Sequence, residues 1–131
     1  MYEIEVLYRG RFKYSIKSLN YEVKVDFPKD DASLVDGITP PALLLASLGS
    51  CLAVYLERYL NSSKISFDRF TIKVNSDICK DPPKYLKDIN IKIDIQASQL
   101  DKSRKESLLE FIKNCPVHNT LIHNPAVNII L

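Results

Sequence analysis

Thr39-Pro40-Pro41-Ala42-Leu43-Leu44-Leu45-Ala46-Ser47-Leu48-Gly49-Ser50-Cys51 opens the stretch that decides the fold. A threonine before two prolines reads as an N-cap followed by proline in the first helical turn, where a missing N–H costs little. No charge occurs between Asp36 and Glu57, so the helix predicted to run on to Tyr59 or Leu60 is apolar nearly all round. Such a helix is expected to be buried on most sides. Asn61-Ser62-Ser63 should stop it. A membrane span needs about 20 mostly apolar residues. This window holds Pro40, Pro41, Ser47, Gly49 and Ser50 and has no basic flank at its start, so a central core helix is the better reading. It also starts late and lacks a charged leader, unlike a secretory signal. The expected location is the cytoplasm, with no membrane partner.

On the N-terminal side, Ile4, Val6 and Tyr8 alternate with polar neighbours, as do Phe12, Tyr14 and Ile16, then Tyr21, Val23, Val25 and Phe27. Arg9-Gly10-Arg11 and Leu19-Asn20 separate these runs. That is a three-stranded antiparallel meander with one apolar face. The segment from Pro28 to Thr39 loses the pattern and reads as a loop. On the C-terminal side, Phe70, Ile72 and Val74 form one strand, and Ile89, Ile91, Ile93 and Ile95 form another. Cys79-Lys80-Asp81-Pro82-Pro83 lies in the connection between them. Asp101 caps a helix through Leu108 and Ile112, a short helix starts at Cys115-Pro116, and Ala126 to Leu131 is expected to be a closing strand. The order β-β-β-α-β-β-α-β defines an α+β class, with residues 1–131 read as one domain.

Hydrophobic residues make up 46% of the 131, enough for a core, and charged residues 26%. The net charge of +2 comes from mixed signs, so the chain has no electrostatic footprint for nucleic acid. Three cysteines without a CxxC give no zinc pattern, and an odd number is not a secreted disulfide framework. No metal and no cofactor are expected.

The cysteines differ in setting. Cys51 sits in the apolar helix, where a lone cysteine is more often a small core hydrophobe. Gly49 and Ser50 are poor helix formers beside it, and glycine costs about 1 kcal/mol in a helix. Small residues there can let another backbone or a substrate approach the sulfur. Leu44, Leu45, Leu48 and Leu52 lie within about two turns of Cys51 and are expected to wall it. Cys115 precedes Pro116 and is the predicted N-cap of a helix, a position that stabilises thiolate. His118, one turn on, matters only if it faces the sulfur, and is otherwise a partly exposed histidine. Cys79 has no base or partner in its neighbourhood and reads as incidental.

These residues together resemble the OsmC/Ohr family of organic hydroperoxide-reducing proteins. Thr39 to Cys51 resembles the family's proline-led helix ending in Leu-Gly-Ser-Cys, and Cys115-Pro116-Val117 resembles its Cys-Pro-Val motif. The separation, 115 − 51 = 64, fits as well. The resemblance implies antiparallel sheets wrapped around paired central helices in an intertwined homodimer. It implies that Cys51 attacks an organic hydroperoxide and becomes a sulfenic acid. Cys115 then closes a disulfide with Cys51, and an external dithiol, lipoyl-linked in many relatives, reopens it. A sulfenic acid with a second thiol in reach is trapped reversibly, which protects it from over-oxidation.

The sequence departs from the family's peroxide-active branches in two respects, a missing glutamate and a loop from Pro28 to Thr39 without arginine, where Lys29 or a partner chain could supply the missing charge. Those branches carry the glutamate just after the motif's proline, where Pro41 and Ala42 stand here. They also use an arginine to hold the thiolate. Arg9 and Arg11 are the early candidates, and Arg11 is preferred. Two functions are therefore carried forward. One is a thiol-dependent peroxidase using Cys51, Cys115 and Arg11. The alternative is a non-enzymatic redox-sensing or apolar-ligand-binding protein of the same fold.

Overall fold

The computed structural model describes residues 1–27 and 35–131. The expected loop from Pro28 to Thr39, with the lysine at 29 that could stand in for a missing cation, lies largely outside the described residues. Contacts divide the chain into two compact units, Met1–Leu44 and Leu45–Leu131.

The first unit is the expected meander. Strands β1 (Glu5–Gly10), β2 (Lys13–Ser18) and β3 (Tyr21–Asp26) pair antiparallel in the order β1-β2-β3. The register pairs Val6 with Ile16 and Ile16 with Val23, so one face is apolar, as the alternation predicts. The turn between β1 and β2 uses positive φ at Gly10, Arg11 and Phe12. Ile38 is strapped to β3: its N–H donates to Lys24 O at 3.1 Å, and its carbonyl accepts from Asp26 N–H at 3.3 Å. The buried Asp26 carboxylate in turn accepts from Asp36 N–H at 2.9 Å. Gly37 makes this strap possible. Its φ is +155°, and a Cβ there would stand 2.7 Å from Lys24 O.

Helix α1 runs over Pro40–Ser62. Its first backbone bond, Leu43 N–H to Thr39 O, places Thr39 at the predicted cap position. Within the second unit, α1 buries Leu48, Leu52, Leu56 and Leu60, a stripe at intervals of one helical turn. Val54 remains 48% exposed, so in a single chain the helix buries one stripe and not most of its circumference. By length and composition α1 could also cross a membrane. The leucine stripe instead packs into a core with Ile65, Leu108, Ile112 and Cys115.

Strands β4 (Phe67–Ile78) and β5 (Leu86–Ala97) form a long antiparallel hairpin. Phe70 pairs with Ile95 and Ile72 with Ile93, and these side chains pack on the core. Helix α2 (Lys102–Ile112) starts at Asp101, whose carboxylate accepts from Arg104 N–H at 2.8 Å, as predicted. Tyr59 Oη donates to Arg104 O at 3.0 Å, and its ring lies 5.7 Å from that of Phe111, which fixes α2 on α1. Helix α3 (Pro116–His123) ends at Asn124 in the left-handed conformation, followed by Pro125, which cannot continue a helix.

The fold is thus α+β with antiparallel sheets and a long central helix. One expected element is missing: Ala126 to Leu131 forms no strand. The segment pairs with neither of the two described sheets. Val127, Ile129 and Ile130 stay more than four-fifths exposed.

Candidate active site

The second unit brings Cys51 and Cys115 together. Cys51 comes from the middle of α1 and packs against the core while keeping partial exposure. Cys115 follows α2, is completely buried and is the N-cap of α3. Its sulfur accepts from His118 N–H at 3.4 Å. The prediction that Cys-Pro starts a helix holds in detail, with Pro116 in the first turn.

The expected consequence for the Cys115 proton does not hold. Burial pushes the Cys115 thiol up from its ordinary pKa. The neighbouring Cys51 sulfur acts in the same direction. The backbone N–H groups of His118 and Val117 oppose this and are outweighed. A short helix offers two N–H dipoles, and complete removal from water costs a thiolate more than they return. The raised pKa means that the buried Cys115 holds its proton more tightly than a free thiol.

Gly49 also proves to have a different purpose. A Cβ at Gly49 would stand 3.1 Å from Val74 Cγ2, so the glycine lets α1 lie close on β4. The leucine wall is largely core: Leu48 and Leu52 are each only 2% exposed, leaving little surface for an alkyl group. Leu44 is 41% exposed. Cys79 is in the β4–β5 connection, with its sulfur 3.7 Å from Asp81 O and no ionisable partner. Among the described residues no cluster of His, Cys, Asp and Glu could hold a metal ion.

The two arginine candidates belong to the first unit. Arg9 is engaged there: Nε donates to Ser15 Oγ at 2.8 Å, and the guanidinium lies 3.5 Å from Glu22. Ser15 and Arg9 hold the Glu22 carboxyl below its usual pKa, Ser15 being the larger cause. Arg11 occupies the β1–β2 turn at φ +50° and makes no hydrogen bond or ion pair with the described residues. Sequence reasoning underrated one feature: His118 Nδ1 is enclosed and has no hydrogen-bond partner among the described residues. Its place three residues after Cys115 was the only signal.

No curated protein matches the sequence. Solved structures match it closely in shape. An OsmC-like protein from Mycoplasma pneumoniae superposes with a TM-score of 0.83 at 21% identity, over 93% of this chain and 87% of the other. An organic hydroperoxide resistance protein from Elizabethkingia anophelis gives 0.70 at 22% identity, over 95% and 91%. The organic hydroperoxide resistance protein OhrB of Bacillus subtilis gives 0.63 at 20%, over 94% and 93%. At these identities the likeness is one of fold. The profile of the family described as OsmC-like protein matches residues 29–130, most of the chain. With the two motif cysteines joined in one core, the chain belongs to the OsmC-like protein family.

Proposed function

We propose that this chain is a thiol-dependent peroxidase that reduces organic hydroperoxides. The observation that carries the reading is that Cys51 and Cys115, far apart in sequence, pack in one core, with Cys51 partly exposed and Cys115 buried. In the first step the Cys51 thiolate attacks the hydroperoxide's terminal oxygen. The O–O bond breaks, the alkoxide takes a proton and leaves as an alcohol, and Cys51 becomes a sulfenic acid. Cys115 then displaces hydroxide from Cys51, forming the disulfide and water. An external dithiol, lipoyl-linked or otherwise, restores both thiols. The organic hydroperoxide resistance proteins among the similar structures support the substrate class. Arg11 is the arginine proposed to accompany the Cys51 thiolate, since Arg9 is already bound to Ser15 and Glu22.

The working unit is proposed to be an intertwined homodimer in the cytoplasm, with residues 1–131 acting as one domain. Val6, Tyr8 and Val23 on the meander and Val54 on α1 are exposed apolar groups in the single chain, as is the Ala126 to Leu131 segment. Apolar surface of this extent calls for cover, and a second copy would supply it. Light scattering at micromolar concentration should give twice the chain mass.

One observation favours the alternative, a redox sensor or apolar-ligand binder: α1 carries no charge before Glu57 to support a thiolate. Mixing reduced protein with tert-butyl hydroperoxide and counting free thiols separates the two. The peroxidase loses two of its three thiols per chain without crosslinks and keeps Cys79. Unchanged thiols would leave the binding role.

A further inference from the structure

A buried polar atom without a partner costs about 1–3 kcal/mol, and each one in a native structure calls for an explanation. Among the described residues, His118 Nδ1 is such an atom. His118 is also the residue whose N–H donates to Cys115 Sγ, so ring and sulfur lie within one helical turn. The side chains of an N-cap residue and of the residue three further on lie beside each other at a helix start, as in a capping box. The reaction proposed above, on which this inference rests, leaves one requirement unmet at this place. Cys115 must lose its proton to attack, yet it is fully buried, and among the described residues no side-chain base is hydrogen-bonded to its sulfur.

We infer that His118 is the proton carrier for disulfide closure, taking the Cys115 proton on Nδ1 and returning it to the departing hydroxide. The ring must then be the tautomer with its proton on Nε2, which leaves the Nδ1 lone pair open. The S–H bond of Cys115 breaks toward Nδ1, and the sulfur pair attacks Cys51. The S–S bond forms as the Cys51 S–O bond breaks, and hydroxide leaves with the imidazolium proton as water. Reactants and products are one thiol and one sulfenic acid against one disulfide and one water, with no outside oxidant or reductant in this step. In the reduced protein Nδ1 is not bonded to the sulfur. A catalytic base often tightens onto its proton only when the reacting partner is formed, here the Cys51 sulfenic acid.

The test separates closure from oxidation in the same samples. Wild type, His118→Gln and His118→Ala are mixed rapidly with tert-butyl hydroperoxide. Aliquots are quenched with a sulfenic-acid trap and a thiol alkylating agent, and read by mass spectrometry. Trapped Cys51 sulfenic acid should accumulate in both variants, because closure falls about 100- to 10,000-fold relative to oxidation. In His118→Ala, added imidazole should restore closure. Pyrazole, of the same shape but scarcely basic, should not. Closure as fast as wild type in both variants overturns the inference, and so does equal rescue by pyrazole, which would make the ring a space filler. If wild type itself forms no sulfenic acid and no disulfide, the peroxidase reading fails, and this inference with it.

Discussion

In the N-terminal unit Val25 is the buried apolar side chain among the described residues, joined by the polar Ser15 and Asp26. In the C-terminal unit Leu48, Leu52, Leu56, Leu60, Ile65, Leu108, Ile112 and Cys115 form a continuous core. The first unit is held by backbone ladders, the Ile38 strap and ion pairs of Arg9 with Glu22 and Lys13 with Asp36. Exposed ion pairs contribute little, roughly 0–1 kcal/mol, whereas a buried leucine contributes about 1.5–3 kcal/mol. The proposed reactive pair, Cys51 and Cys115, therefore lies where the packing is dense, and the arginine candidates where it is thin. A nucleophile and its resolving thiol need a fixed separation, which a packed core provides.

The largest expected effect is on that core. Leu56→Ala should lower stability by about 2–5 kcal/mol in urea denaturation, since Leu56 is fully buried. A loss below 1 kcal/mol would mean that the core is not the main support of the second unit. Next comes the strap. Gly37→Ala should cost about 2–4 kcal/mol, because the new Cβ meets the Lys24 carbonyl. Hydrogen exchange should quicken at Asp26 and Ile38 and stay slow at Leu52 and Leu56. Uniform acceleration would show the two units to be one cooperative body.

A smaller effect follows from the Cys115 proton. The folded pKa is raised, so the folded chain holds this proton more tightly than the unfolded one. That contribution is complete below the ordinary thiol pKa, about 8.5. It is lost as pH rises through the raised folded value, at no more than about 1.4 kcal/mol per pH unit. Under reducing conditions the urea midpoint of wild type should fall above this pH more steeply than that of Cys115→Ala. Parallel curves would remove the assignment. The smallest effect concerns Gly49. Alanine gains helix propensity of about 1 kcal/mol but presses on Val74. On a Val74→Ala background the same change should stabilise by about 0.5–1 kcal/mol, and the difference between backgrounds measures the contact.

Much of this was legible from the chain. Alternation at Tyr14 and Ile16, or at Ile93 and Ile95, marks strands because the side-chain period of a strand is two. Asp101 and Cys115-Pro116 mark helix starts because caps are local chemistry. What failed was non-local. The pKa direction of Cys115 depends on how completely α1, α2 and α3 exclude water, which no short motif encodes. Ala126 to Leu131 has strand-like residues, but pairing depends on an available edge. The enclosure of His118 Nδ1 is likewise a product of packing.

The unequal exposure of the two sulfurs gives the site a direction of traffic. Any reagent arriving from solvent meets Cys51 and not Cys115, which is wholly enclosed. A reductant opening the disulfide would form its mixed disulfide on Cys51 and release Cys115 into the interior, where the sulfur recovers its proton. Oxidant and electrons would then enter through the same sulfur, and of the two core cysteines only Cys51 would collect glutathione-sized adducts.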